Sequence, residues 1–264
     1  MDLSQALLHA RPANMTADEW ALRLELAACY RLFDVFGWCE LIYNHITVRI
    51  SSPPGAASAP AQYLINPFGL NYCEVTATNL VKIDVAGNKL DESPYPINAA
   101  GFVIHSAIHA ARDDAHCIMH THTTAGMALA CKANGLRSDN FYSAIMAGRV
   151  GYHDFEGITT AMDEQPRLVA SLGNNDALIL RNHGLVAVGP HIPAAFVALW
   201  TLQRACEVQL ATDSMAGENT PVADAVLRAI PEQLKPLQNP AVRYGEAAFE
   251  ATLRRYGIRY ESLV

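Results

Sequence analysis

The sequence predicts an α/β domain built in layers, with a largely antiparallel sheet and a helical C-terminal extension. Three observations lead there. Strand-like and helix-like stretches are interleaved along the chain instead of being segregated into two blocks. Several strands face each other across short turns, as hairpins do. The 264 residues are 51% apolar and 17% charged, against usual values of about 45–50% and about 25%. That composition excludes a disordered chain and calls for a large core.

Taken in order, Thr16 and Glu19 have the spacing of a capping box, and Gly37 suits the left-handed residue that ends a helix. Between them Trp20, Leu24, Ala27, Ala28, Tyr30 and Phe33 supply the apolar face of a first helix. Residues 44–50 (NHITVRI) alternate and are β-branched, which predicts a strand. Residues 63–65 are its hairpin partner across a Pro/Ala-rich loop at 51–61, and 80–85 with Gly87 and Asn88 form another strand and tight turn. Over 99–112 the pattern is helical, with Val103, Ala107, Ile108 and Ala111 on one face. Residues 117–120 are a short apolar strand, after which Thr123 or Thr124 caps a helix over 125–133. Residues 149–153 and 177–180 are strands, and 185–188 follows closely enough to pair with the latter as a hairpin.

A long helix spans 192–213, a linker spans 215–221, and a helical tail follows with breaks at Pro231 and Pro236. The expected organisation is an N-terminal segment (1–15), a main domain (16–215) and a helical extension (216–264) packed on that domain or on a neighbouring subunit. Phe196, Leu199, Trp200 and Leu202 occupy more than one face of the long helix, so either that extension or a second subunit must cover them. The segment 254–260 (RRYGIRY) is a candidate to reach across a neighbour's cleft toward an anionic substrate.

The net charge of −7 argues against an electrostatic grip on nucleic acid or anionic membrane. No apolar run reaches the ~18 residues of a membrane span, and no basic segment followed by an apolar one marks a secretory signal. The six cysteines show no CxxC and sit mostly in apolar stretches, as buried free thiols do in a reducing cytoplasm.

Ten histidines are the unusual feature of the composition. His120 and His122 flank Thr121 at a strand end, and residues i and i+2 of a strand point to the same side. That is a workable bite for a divalent metal, although two ordinary polar residues at a strand end look the same. In 178–189 (LILRNHGLVAVG) a strand ends in Arg-Asn-His-Gly and another leaves it. His183 there, beside a glycine that admits close backbone approach, is a candidate third ligand or a turn histidine bonded to its own backbone. Three histidines with an open fourth position are the pattern of a catalytic zinc site. His105 and His109 share one helix face, either as core histidines or as neighbours that orient a metal-bound imidazole, and Asn182 is a candidate to fix the hairpin around His183. His9, His116 and His191 are expected to face solvent, and His45 and His153 lie in strands without an assigned role.

These residues bear a resemblance to a known family. MHTHTTAG (119–126), RNHGLVAVG (181–189) and GWCELIYNHITVR (37–49) resemble the class II aldolase/adducin family over residues 16–214. INPFGLNYCEVTATNLVKID (65–84), AGFVIHSAIHAARDD (100–114) and VGYHDFEGI (150–158) are most similar to the adducin head domain, without the long basic adducin tail. The resemblance implies a three-layer α/β/α sandwich with a largely antiparallel central sheet. It also implies a zinc, or another divalent metal, on His120, His122 and His183, and a homotetramer with its site between subunits.

In the family's aldolases and epimerases an acidic residue stands one helical turn before the counterpart of His105. Here that position is Gly101, and the small hydroxyl residues of the family's phosphate pocket read Ala99 and Ala100. Asn44 and Gly69 are retained, and with Gly101 they are the candidate substrate-binding positions. Aldol chemistry needs a group that moves a proton near the polarised carbonyl. His105 and Tyr142 are the candidate substitutes, Tyr142 lying near the position of a family tyrosine that reaches a neighbouring subunit's site. The expected function is a metal-dependent carbon–carbon lyase, an aldehyde-lyase or carboxy-lyase, on a small hydroxy- or keto-acid bearing a carboxylate rather than phosphate. The alternative is a non-catalytic adducin-like interaction protein, with an actin or other cytoskeletal partner and a residual metal site.

Overall fold

The structure, a computed structural model, describes residues 10–51, 60–158 and 161–264. Most of the 51–61 loop, His9 and most of the N-terminal segment lie outside the described residues. Seven strands form one sheet: β1 (His45–Ile50), β2 (Gln62–Ile65), β3 (Val81–Asp84), β4 (Cys117–Thr121), β5 (Val150–His153), β6 (Ala177–Leu180) and β7 (Gly184–Gly189). Their order is β3-β2-β1-β4-β7-β6-β5. Every neighbouring pair is antiparallel except β5 with β6. The helices are α1 (Ala17–Val35), α2 (Ala99–Ala111), α3 (Thr124–Ala130), α4 (Phe141–Ile145), α5 (Gln165–Leu172), α6 (Ile192–Asp213), α7 (Asp224–Leu234) and α8 (Glu246–Arg255).

Period-2 alternation sorts the strand residues onto two faces. On one face Ile46, Val48, Cys117, Met119, Leu185 and Ala187 join the core formed with Leu24, Ala28 and Leu32 of α1 and Leu199 and Leu202 of α6. On the other, Ile118, Val186, Val188, Leu178 and Leu180 pack on Ile104, Ala107 and Ile108 of α2 and on Leu168 and Leu172 of α5. The result is three layers, helices covering both faces. Each fully buried aliphatic side chain contributes roughly 1.5–3 kcal/mol.

The ends of α1 follow local rules, with one departure. Thr16 accepts from the Glu19 amide at 3.1 Å, and Gly37, at φ +69°, ends the helix while the Trp38 amide reaches back to Phe33. The Glu19 carboxylate does not turn back to close a capping box. It is buried between Arg23 (2.9 Å) and Lys82 (2.6 Å), where two cations outbid a backbone amide.

Other departures lie in the C-terminal third. Pro231 sits inside α7 instead of ending it, and Pro236 falls in a 3-10 turn, Lys235–Leu237. Phe196 packs edge-on against Phe249 of α8 at 5.4 Å, so the chain covers its own long helix. The tail is held by its own chain: Leu263 is buried and accepts from the Ala77 amide, Tyr260 bonds Glu250, and Arg243 pairs with Glu25. Within 254–260, Arg254, Arg255, Tyr256 and Arg259 are exposed, while Tyr260 is tied to α8. All six cysteines are free, but only Cys29, Cys117 and Cys206 are buried, while Cys73 and Cys131 are exposed in turns. His116 is half-buried, and His191, also half-buried, caps α6 through the Ala194 amide. Among the described residues no helix is long and apolar enough to cross a membrane.

Candidate metal centre

The register of the central strands assembles the site. His45 of β1 stands directly opposite His120 of β4, on the α2 side of the sheet. One residue beyond β4, His122 turns back so that its Nε2 lies 2.7 Å from Nε2 of His120. The β6–β7 turn brings the third imidazole. His183 donates its amide to the Leu180 carbonyl, and Asn182 takes the left-handed conformation, φ +58°, that asparagine tolerates better than most residues. The exposed Asn182 thus shapes the turn through its backbone, and its amide is anchored on the Ala130 carbonyl. Gly184 is required here: a Cβ would lie 2.4 Å from the Thr121 carbonyl and 3.0 Å from the His122 ring.

Donor nitrogens of His120, His122 and His183 lie within 4.8 Å of one another. His120 Nδ1 donates to the Leu185 carbonyl at 2.9 Å, which leaves Nε2 as the bare, ligating nitrogen. The close approach of the two Nε2 atoms means that one carries a proton when no cation replaces it; since His120 Nε2 is bare, His122 is the donor. Burial holds all three imidazoles toward the neutral form a ligand needs: His120 well below the usual histidine range, His122 below it, and His183 at about 4 with the neighbouring His122 assisting. The donor chemistry, the spacing and the preset tautomer fit a divalent metal with three protein ligands.

Asn44 is fully buried and bonded at both ends of its amide, to the Trp38 carbonyl (2.7 Å) and from the His122 amide (3.1 Å). It therefore holds His122 in place. Thr123, next in sequence, caps α3 and donates to Gln203 of α6 at 2.6 Å, tying the same strand end to the opposite layer.

His105 does not touch the three histidines. His45 intervenes, its ring 4.3 Å from His105 and 5.1 Å from His120. His45 is buried, and desolvation with the coulombic influence of His122 and His183 lowers it to about 3. Its ring occupies the room beside Gly101, where a Cβ would fall 2.2 Å from Cδ2. His109 lies further back, bonded to Thr47 and to the Ala115 carbonyl, its ring tilted against that of Tyr63. Sequence reasoning left His45 unassigned. The signal was present: His45 and Thr47 are polar at i and i+2 of an apolar strand, the pattern also found at His120 and His122.

Tyr142 is elsewhere in the chain, edge-on to Trp200 at 5.5 Å and beneath Arg204. Gly69 is exposed, at φ +105°, in the loop after β2. A cavity of 610 Å³ lies between Val197 of α6 and the segment 234–248, away from the histidines. The imidazole cluster itself opens near the exposed Phe155, whose ring is 6.3 Å from His183.

Residues 24–210 match the sequence profile of the family described as Class II Aldolase and Adducin N-terminal domain. A Pseudomonas aeruginosa protein named as a candidate class 2 aldolase is 40% identical over 253 residues, 94% of this chain and 95% of that one. Alpha-adducin of Rattus norvegicus is 46% identical over 202 residues, which are 75% of this chain and 26% of the adducin. The solved structure of L-fuculose 1-phosphate aldolase from Glaciozyma antarctica PI12 superposes with a TM-score of 0.77 at 27% identity, covering 96% of this chain and 98% of that one.

Proposed function

The chain belongs to the class II aldolase and adducin N-terminal domain family, and on that premise we propose that it is a metal-dependent carbon–carbon lyase, of retro-aldol or decarboxylase type, acting on a small hydroxy- or keto-acid. The carrying observation is the convergence of His120, His122 and His183 with the His120 tautomer already set for ligation. Those three side chains hold Zn2+ or another divalent ion and leave a fourth position for substrate. When bound, the ion supplies Lewis-acid polarisation of a substrate oxygen. Asn44 orients His122, and substrate lies against the backbone at Gly69 and Gly101, the side-chain room at Gly101 being filled by His45. His105 acts through His45, with His109 behind it, and Asn182 sets the turn that presents His183. Tyr142 serves a neighbouring subunit's site in a homotetramer, in which residues 216–264 pack on the main domain of residues 16–215. The free thiols suit the cytoplasm.

A metal-loaded screen against hydroxy- and keto-acids, with and without phosphate, tests this reading. The expected result is zinc-dependent cleavage of a non-phosphorylated acid that disappears in His183→Ala. No turnover by fully metallated protein contradicts it. That outcome favours a second reading, a non-catalytic adducin-like binding protein with a cytoskeletal or other protein partner, supported by the 46% identity to alpha-adducin and by a glycine at position 101.

A further inference from the structure

Behind the ligand set, three histidines and a threonine form a buried chain whose hydrogen-bond direction is fixed from its far end. The Ala115 carbonyl only accepts, so His109, 2.8 Å away, donates from Nδ1. A neutral His109 then accepts at Nε2, and the hydroxyl 2.7 Å from it, Thr47, is the donor. The single hydroxyl proton of Thr47 is thereby used, so Thr47 accepts from Nδ1 of His105 at 2.8 Å. That leaves Nε2 of His105 bare. It is buried without a partner, and among the described residues the other buried histidine nitrogen in the same position is Nδ1 of His45. The two belong to rings in contact at 4.3 Å. They are not bonded to each other in the structure; a pairing in which His45 donates would satisfy both and make every bond in the chain run the same way.

We propose that this chain holds His45 as its Nδ1–H tautomer, so that Nε2 is a fixed hydrogen-bond acceptor beside the histidine centre, and that the ligand taken there presents a hydroxyl rather than a bare carbonyl to it. Nε2 of His45 lies 2.3 Å from where a Cβ on residue 101 would stand, so the imidazole from β1 fills the room that a side chain from α2 would otherwise occupy. An acceptor without a proton rewards a donor and leaves a carbonyl oxygen unpaired against it, the asymmetry from which polar sites draw their selectivity. Thr47, His105 and His109 are positioning residues for His45. The ligand class rests on the lyase reading; the tautomer does not.

Long-range proton–nitrogen correlation spectra of the metal-free, full-length protein, labelled at histidine, read the tautomers directly. His45, His105 and His109 are each expected to be protonated at Nδ1 and bare at Nε2. A proton on Nε2 of His45 overturns the proposal. Thr47→Val should scramble the tautomers of His105 and His45 while the amide spectrum stays folded, and Thr47→Ser should restore them. In the zinc-loaded protein, L-lactate is expected to move the His45 Nε2 resonance and to bind at least tenfold more tightly than pyruvate, an advantage lost in His45→Phe. Equal binding of the two, or none, overturns the hydroxyl selection. A protein that takes up no zinc refutes the lyase reading, and the metal-free spectra still decide the tautomer.

Discussion

Adjacent residues of β1 and β4 serve opposite ends. Ile46, Val48, Cys117 and Met119 face α1 and α6 in a largely apolar core, whereas His45, Thr47 and His120 face α2 and form a connected set of imidazoles and a hydroxyl. The first face gains stability from apolar area removed from water. The second gives some of it up: two of its buried nitrogens, on His45 and His105, lack partners. Burying such groups is costly unless they are bonded. The same four or five residues of extended chain therefore separate folding from chemistry by nothing more than the pleat.

Substitutions that act on one face alone test that separation. Met119→Ala, on the apolar face, should cost about 2–5 kcal/mol in urea unfolding, with zinc stoichiometry unchanged. Gly184→Ala, at the junction, should cost about 1–3 kcal/mol through overpacking against the Thr121 carbonyl. It should also weaken zinc binding, because the His122 ring is displaced. Equal zinc affinity with lowered stability would show that the strand end yields without moving the ligands. Thr47→Val, on the polar face, should cost roughly 1–3 kcal/mol by leaving His105 and His109 unpaired, and His109→Ala in the same background should then add less than it does alone.

A smaller, graded effect comes from pH. The unfolded chain takes up protons at its histidines from about pH 6.5. His45 and His109 in the folded protein, held down chiefly by burial, resist protonation to about 3. The unfolded state therefore binds more protons in this window, so stability is complete above about 6.5 and falls as the pH is lowered toward 3. Urea midpoints at pH 8, 6 and 5 measure it. A flat profile would mean that the polar face is open to water.

Much of this was legible in the sequence. The alternation in β1, the Gly-Leu-Val-Ala-Val-Gly strand after His183 and the Thr16 cap are local signals, and local physics decides them. The pairing of His120 with His122 needed only the strand period, and His183 only its glycine. For His45 the strand period marks only a polar face shared with Thr47; its place in the site depends on two distant facts, the antiparallel register that sets it opposite His120 and the missing side chain at residue 101. Glu19 was misjudged for a similar reason, since Lys82, which draws its carboxylate inward, arrives from β3. Tyr142 shares no contact with the histidines within the described chain because the position of α4 is set by packing on Trp200 of α6.

Whether the polar face is a metal centre built independently of the core is decided by elemental analysis of purified protein dialysed against zinc, wild type beside His122→Ala. One zinc per chain is expected in the wild type and none in the variant, with metal-free urea unfolding of the two agreeing within about 1 kcal/mol, since His122 is only partly buried. A wild type that binds no zinc or other divalent ion, or a His122→Ala protein that retains it, would mean that the three imidazoles are not the metal centre.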